Sequence, residues 1–206
     1  HAQTKSGTSS AKVFNDFTVE NSALILIDHQ VGTIDWAGEI NPEKRKQLKS
    51  FTKLIAKFAK GAGMPIVLTS SLENEAQGPL LPEFKKIMPQ EYEARIKRTG
   101  VINAWDDPAF VEAIKKTGKK NLIMAGLTTD VCLVPPVLSA RSEGFNVIAL
   151  TDASAATTIE AAQNSKDLIQ DNGVVLMTTI PMITNLLKNY KNPASGSFFK
   201  AWNEEK

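Results

Sequence analysis

Ala23-Leu24-Ile25-Leu26-Ile27-Asp28 is an unbroken apolar run that ends on an acid. A strand with one wet face alternates apolar and polar residues. This run does not, so it reads as a strand covered on both faces, as in a parallel sheet. The pattern returns outward along the chain. Pro65 to Ser70, Asn121 to Ala125, Asn146 to Leu150 and Gly173 to Met177 read as further strands, and Ala94-Arg95-Ile96-Lys97 as a weak edge strand. Helical spacing fills the gaps. From Glu43 to Lys60 one side carries Leu48, Phe51, Leu54, Ile55 and Phe58, with Asn41-Pro42 as start and Gly61 as stop. A short helix is expected around Glu83 to Met88. Longer ones are expected over Pro108 to Lys116 (opened by Asp106 or Asp107), Asp130 to Ser142, Ile159 to Gln170 and Met182 to Tyr190.

Strands alternating with helices predict an open, mostly parallel α/β sheet flanked by helices on both faces, a Rossmann-like three-layer arrangement. Right-handed crossovers bring the carboxyl ends of its strands to one rim, where ligands bind. Asp28 ends the first strand and Cys132 follows a later one, so both are expected at that rim.

The 206 residues suit one domain. Residues 1–14 read as a flexible arm, a tag remnant or the start of a processed chain, and residues 15–206 as a single domain. The compartment is taken as cytoplasmic, or as periplasmic or exported if Ala2 before Gln3 marks a processed signal-peptide site. The tail carries Phe198, Phe199 and Trp202, which are expected to dock on a partner subunit or on the domain itself. With 24 basic and 22 acidic residues, and basic clusters interleaved with apolar positions, the charge does not suggest nucleic acid. No apolar run approaches the roughly 20 residues that cross a bilayer, so no membrane is expected.

Cys132 is the only cysteine. It follows Ala125-Gly126-Leu127-Thr128-Thr129-Asp130-Val131 at a strand-to-helix turn, where unpaired helix N–H groups favour a thiolate and lower its pKa. A cysteine so placed is a candidate nucleophile; the alternative is a small buried hydrophobe. Pro135-Pro136 fits the first turn of the following helix, which puts Cys132 at its N-terminal end. Asp28 is a candidate general base, or else a loop-ordering carboxylate. Arg98 can supply a cation beside the thiol, or is a surface arginine. The N–H groups of Thr128 and Cys132 can converge on an oxyanion. The two histidines are His1 and His29, there is no cysteine cluster, and neither a metal nor another cofactor is expected. No Gly-x-Ser-x-Gly elbow, phosphate loop or dinucleotide fingerprint is present.

Taken together, Ala23 to Gln30, Ile66 to Ser71, Gly78-Pro79-Leu80-Leu81-Pro82-Glu83, Arg98 to Trp105, Ala125 to Cys132, and Gly144 to Val147 leading to Thr151-Asp152-Ala153-Ser154 resemble the isochorismatase-like cysteine hydrolases, most closely their YcaC-like branch. The likeness runs from about Phe17 to Asn192. It implies a triad of Asp28, Cys132 and a third residue that is lysine in most members and Arg98 here. It also implies a cis peptide before Thr128. Arginine does not release its proton, so Arg98 can act only as a fixed charge and donor. Nicotinamidases of this family hold zinc with histidines after the second strand. Ser71 to Glu83 has none, so no metal is carried over. His29, Gln30, Asn103 and Trp105 are the expected pocket lining.

The implied function is a cofactor-independent, cysteine-dependent hydrolase of a small amide or related C–N substrate, working through a thioester. One alternative is vinyl-ether hydrolysis of the isochorismatase type. Another is a non-catalytic oligomeric or redox-responsive protein that keeps the fold. A homo-oligomer is expected, because family members form oligomers in which neighbours often wall the site.

Overall fold

The computed structural model describes residues 9–206. Its centre is a six-stranded sheet made of β1 (Ser22–Ile27), β2 (Ile66–Ser71), β3 (Ile96–Arg98), β4 (Asn121–Gly126), β5 (Asn146–Leu150) and β6 (Val175–Met177). The spatial order is β3-β2-β1-β4-β5-β6, and every pairing is parallel. From β1 the chain winds outward to β3, returns to place β4 on the other flank of β1, and winds outward again. The reversal therefore lies between β1 and β4, which pair from Ser22↔Asn121 to Ile27↔Gly126. A crevice opens beyond the carboxyl ends of strands at such a reversal.

Alternation along the strands divides the core in two. Leu24 and Leu26 of β1 and Ile123 and Ala125 of β4 face one layer. That layer holds α1 (Ser10–Asp16), α2 (Pro42–Ala62), α3 (Glu83–Ile87), α8 (Thr179–Leu187) and α9 (Ser195–Glu205). Ala23, Ile25, Ile27, Leu122 and Met124 face the opposite layer of α5 (Pro108–Lys116), α6 (Val134–Ser142) and α7 (Ile159–Asp171). Both faces of β1 are thus apolar because both are covered, which is the reason its sequence shows no alternation. The small helix α4 (Pro89–Glu93) leads into the edge strand β3.

Several boundaries differ from expectation: the last expected helix, Met182 to Tyr190, is Thr179–Leu187, and the expected strands at Ala94 to Lys97 and Gly173 to Met177 are Ile96–Arg98 and Val175–Met177. α1 already occupies Ser10–Asp16, with Ser9 as N-cap and Val13 buried, so the ordered chain begins before residue 15; residues 1–8 of the expected arm, with His1 and Ala2, lie outside the described residues. α2 does not stop at Gly61 but runs on to a left-handed Gly63. A Cβ on Gly61 would lie 2.5 Å from Ser197 Oγ, so this glycine serves the close approach of α9 rather than a helix end. The last clear helix by sequence ends at α8, yet α9 follows and packs along α2. Phe198 is buried and Trp202 partly so, which docks the aromatic tail on its own domain and leaves Phe199 half exposed. Finally, Asp130 to Ser142 is not one α-helix, because its first turn, Thr129–Leu133, is π-helical. Among the described residues no helix is long and apolar enough to cross a membrane.

Candidate active site

Asp28 follows the last residue of β1 with φ 59°, in the left-handed region that non-glycine residues seldom adopt. Its backbone is held on both sides. The N–H donates to the Thr69 carbonyl at 3.0 Å, and the carbonyl accepts from Gln30 N at 2.9 Å and Thr33 Oγ1 at 2.5 Å. Strain retained by such surroundings is a mark of functional positions.

The Asp28 side chain is completely buried and paired. Arg98 Nη1 and Nη2 donate to its two carboxylate oxygens at 2.8 and 2.9 Å, a two-pronged contact. Arg98 comes from the edge strand, so its side chain crosses β2 to reach β1, two strand spacings of about 4.8 Å each. On the way Nη1 meets Thr69 Oγ1 at 3.0 Å and the Ser70 carbonyl at 3.3 Å. Nε donates to the Val101 carbonyl at 3.0 Å and Nη2 to that of Ile102 at 3.2 Å. The guanidinium is fully engaged and cannot turn. Lys97, one residue earlier, points to the other face of the sheet.

Cys132 sits across the reversal, in the π turn. Gly126 permits this approach: a Cβ there would lie 2.7 Å from the Ile27 carbonyl, so only glycine lets the end of β4 lie against β1. The Leu127–Thr128 peptide is cis, as the family resemblance implies. The Cys132 thiol lies close enough to Asp28 and Arg98 for both charges to act on it. Burial pushes its pKa up, and the Asp28 carboxylate pushes it the same way; Arg98 opposes them without winning. The expected thiolate is therefore not the resting state. The helix terminus does not prevail, because Cys132 is only 7% exposed and the nearest cation is already paired with a carboxylate.

The expected oxyanion donors also part company. Cys132 N donates to the Thr128 carbonyl at 2.9 Å, and Leu133 N approaches the same oxygen at 3.3 Å. The N–H of Thr128 meets no backbone carbonyl among the described residues and is turned to the Cys132 sulfur, where it favours the charged form.

The four expected lining residues are each held by contacts within the fold, and Trp105 shares a buried cluster with Cys132. His29 is buried against Phe84, and its Nε2 donates to the Ala153 carbonyl at 2.8 Å. Desolvation lowers its pKa to about 4 against the opposing effects of that carbonyl and Asp28. Gln30, also fully buried, ties two loops together: Nε2 donates to the carbonyls of Ser71 (2.7 Å) and Gly78 (2.6 Å), and Oε1 accepts from Ser71 N. Asn103 accepts from Trp105 N and donates to Ser139 Oγ. Trp105 stacks edge-on to Phe110 and Phe145 and donates to Glu143, beside an open groove of about 630 Å³ on the outer face of α5. These four side chains order loops and pack helices.

Sequence reading missed Thr69 and Ser154. Thr69 carries Arg98 across β2. Ser154 Oγ accepts from Gly126 N at 3.1 Å and donates to the Leu150 carbonyl at 2.8 Å, fixing the end of β4. The available signal was the polar triplet Thr69-Ser70-Ser71 closing an otherwise apolar strand.

The sequence matches the isochorismatase domain family over residues 22–181. The chain belongs to the isochorismatase family. A relative from Escherichia coli K12, described as the probable hydrolase YcaC, is 38% identical over 176 residues, 85% of this chain and 82% of its own. The solved structure of YcaC from Pseudomonas aeruginosa, with hexane-2,5-diol and covalent acrylamide, superposes with a TM-score of 0.82 at 34% identity over 91% of this chain and 94% of that one. The Escherichia coli YcaC structure, described as an octameric hydrolase of unknown specificity, gives 0.83 at 35% identity over 92% of each chain. The stretch after β2 has no histidine, and no cluster of three His, Cys, Asp or Glu side chains suited to a metal occurs among the described residues.

Proposed function

We propose that this isochorismatase-family protein is a cysteine-dependent hydrolase of a small amide or related C–N substrate. The observation that carries this reading is the buried Asp28–Arg98 pair with the only thiol of the chain set against it at the sheet reversal.

The raised thiol pKa shapes the mechanism. Cys132 keeps its proton until substrate arrives, and Asp28 takes that proton as the sulfur bonds to the carbonyl carbon. Arg98 holds the carboxylate in place and never exchanges a proton itself. The oxyanion is received by the N–H of Thr128, which faces the sulfur. Collapse of the tetrahedral intermediate breaks the C–N bond while Asp28 returns the proton to the departing nitrogen. Water then loses a proton to Asp28 and adds to the thioester carbon. The C–S bond breaks, the sulfur regains the proton, and a carboxylic acid leaves.

Covalent acrylamide on the Pseudomonas relative supports a nucleophilic centre in this branch of the family. A redox-responsive role finds less support, because oxidation needs the thiolate that burial suppresses. The octameric Escherichia coli relative supports a homo-oligomer here too.

Intact-mass spectrometry of the protein quenched during turnover of small amides tests the scheme. The expected result is an acyl adduct on Cys132, with loss of about 10³-fold or more in turnover on Cys132→Ala. Undiminished turnover by Cys132→Ala would falsify it.

A further inference from the structure

The chain has 24 lysines and arginines, and none of them lies in the connections that leave the carboxyl ends of the strands. Residues 28–41, 72–82, 99–107, 127–133 and 151–158 form the rim around the site, and each is free of both. The same segments carry several carboxylates. Three arginines reach toward the rim from outside it, and each is bound to a carboxylate there: Arg98 to Asp28, Arg45 to Asp35 at 2.9 Å, and Arg95 to Glu73 at 2.8 Å. Lys44 and Lys166 border a cavity with the rim residues Glu39, Ile40, Thr151, Asp152 and Ser154, but the cation that acts on the Cys132 sulfur is Arg98, and it is already paired with Asp28.

What the rim does expose is hydrocarbon. Val31, Trp36, Val101, Ile102 and Val131 are between 40% and 62% exposed. They flank the reacting groups in the chain. Val131 precedes Cys132, Val101 and Ile102 lend their carbonyls to Arg98, and Val31 and Trp36 stand on the turn after Asp28.

We propose that the Cys132 site takes uncharged acyl groups with an apolar body and turns away substrates that carry a carboxylate. This rests on the hydrolase reading and narrows it: beside the sulfur an anionic substrate would meet Asp28, whose charge Arg98 already matches, and like charges brought together are disfavoured. Isochorismatase-type dianions are thereby excluded as substrates of this chain.

The intact protein is alkylated with iodoacetamide and, separately, with iodoacetate. The rate ratio is read by mass at the single cysteine and divided by the ratio for 2-mercaptoethanol. The expected preference for the neutral reagent exceeds the reference by about tenfold or more, and Ile102→Lys cuts it several-fold. A ratio at or below the reference, or one unmoved by Ile102→Lys, overturns the proposal. Saturation-transfer NMR on Cys132→Ala, with butyramide and butyrate as probes, reads the same selectivity without thiol chemistry. Saturation of butyramide alone supports the proposal, and any other pattern overturns it. A protein that shows this bias yet forms no thioester loses only the hydrolase reading. One that forms a thioester without the bias loses only the charge selectivity.

Discussion

Asp28 carries two opposed duties, and they can be separated. Its charge helps raise the pKa of the thiol it is proposed to deprotonate. Asp28→Asn removes that charge and leaves Arg98 beside the sulfur, so the thiol pKa falls and alkylation by iodoacetamide at neutral pH speeds up. Turnover of an amide substrate falls in the same variant by about 10²–10⁴-fold, because the proton has no acceptor. If alkylation slows instead, the Asp28 charge is not what holds the thiol protonated; if turnover is unchanged, Asp28 is not acting as the base. His29 makes a second residue-scale prediction. Its pKa is 6.5 ordinarily and about 4 when folded, so between those values the unfolded chain binds a proton that the folded chain refuses. Stability is therefore full above about pH 6.5 and declines as pH falls toward 4, by about 3 kcal/mol. Urea midpoints measured across that window should show the decline, and His29→Gln should remove this part of it. Asp28 and Cys132 were legible because strand ends and turns after strands are visible in sequence. The engagement of His29 and Gln30 was not, because a polar residue beside an acid looks the same whether it meets substrate or a backbone carbonyl.

At the level of elements, strands were easier to read than the ends of helices. β1, β2, β4 and β5 announce themselves by apolar runs of the length a covered strand needs. Gly61 misled because the rule that glycine ends helices is local, whereas its reason here is α9, which arrives well over a hundred residues later. The π turn carrying Cys132 has no signature in Thr129-Asp130-Val131-Cys132-Leu133 beyond the prolines that follow it. α9 was hidden by Gly196 in its first turn, although its aromatics were conspicuous. Gly61 also sets two principles against each other. Helix propensity alone favours alanine there by about 1 kcal/mol. The contact with Ser197, whose Cβ would lie 2.9 Å away, forces a shift costing about 1–3 kcal/mol. The steric cost is expected to dominate, so Gly61→Ala lowers the melting temperature, and adding Ser197→Gly recovers part of the loss. A rise in melting temperature for Gly61→Ala alone would show that α9 yields freely.

For the molecule as a whole, the sheet is held by apolar layers on both faces, while the Asp28–Arg98 pair is an expense confined to one rim. Two buried charges lose their hydration, and even a two-pronged contact does not always repay it. Removing one partner is worse, since the other charge is left buried and unmatched. Arg98→Met, or Asp28→Leu, is therefore expected to lower the unfolding free energy by about 3–5 kcal/mol. The double variant Asp28→Leu with Arg98→Met carries no orphaned charge, and its stability should return to the wild-type value or exceed it by about 1–4 kcal/mol. Its turnover should stay at background. Urea unfolding of the four proteins, with activity assayed alongside, checks both halves. Recovery of stability without recovery of activity would mean that this pair is kept for chemistry and that the fold stands without it. A double variant as unstable as the worse single one would instead make the pair a structural keystone, and the left-handed turn at Asp28 would then need explaining as architecture.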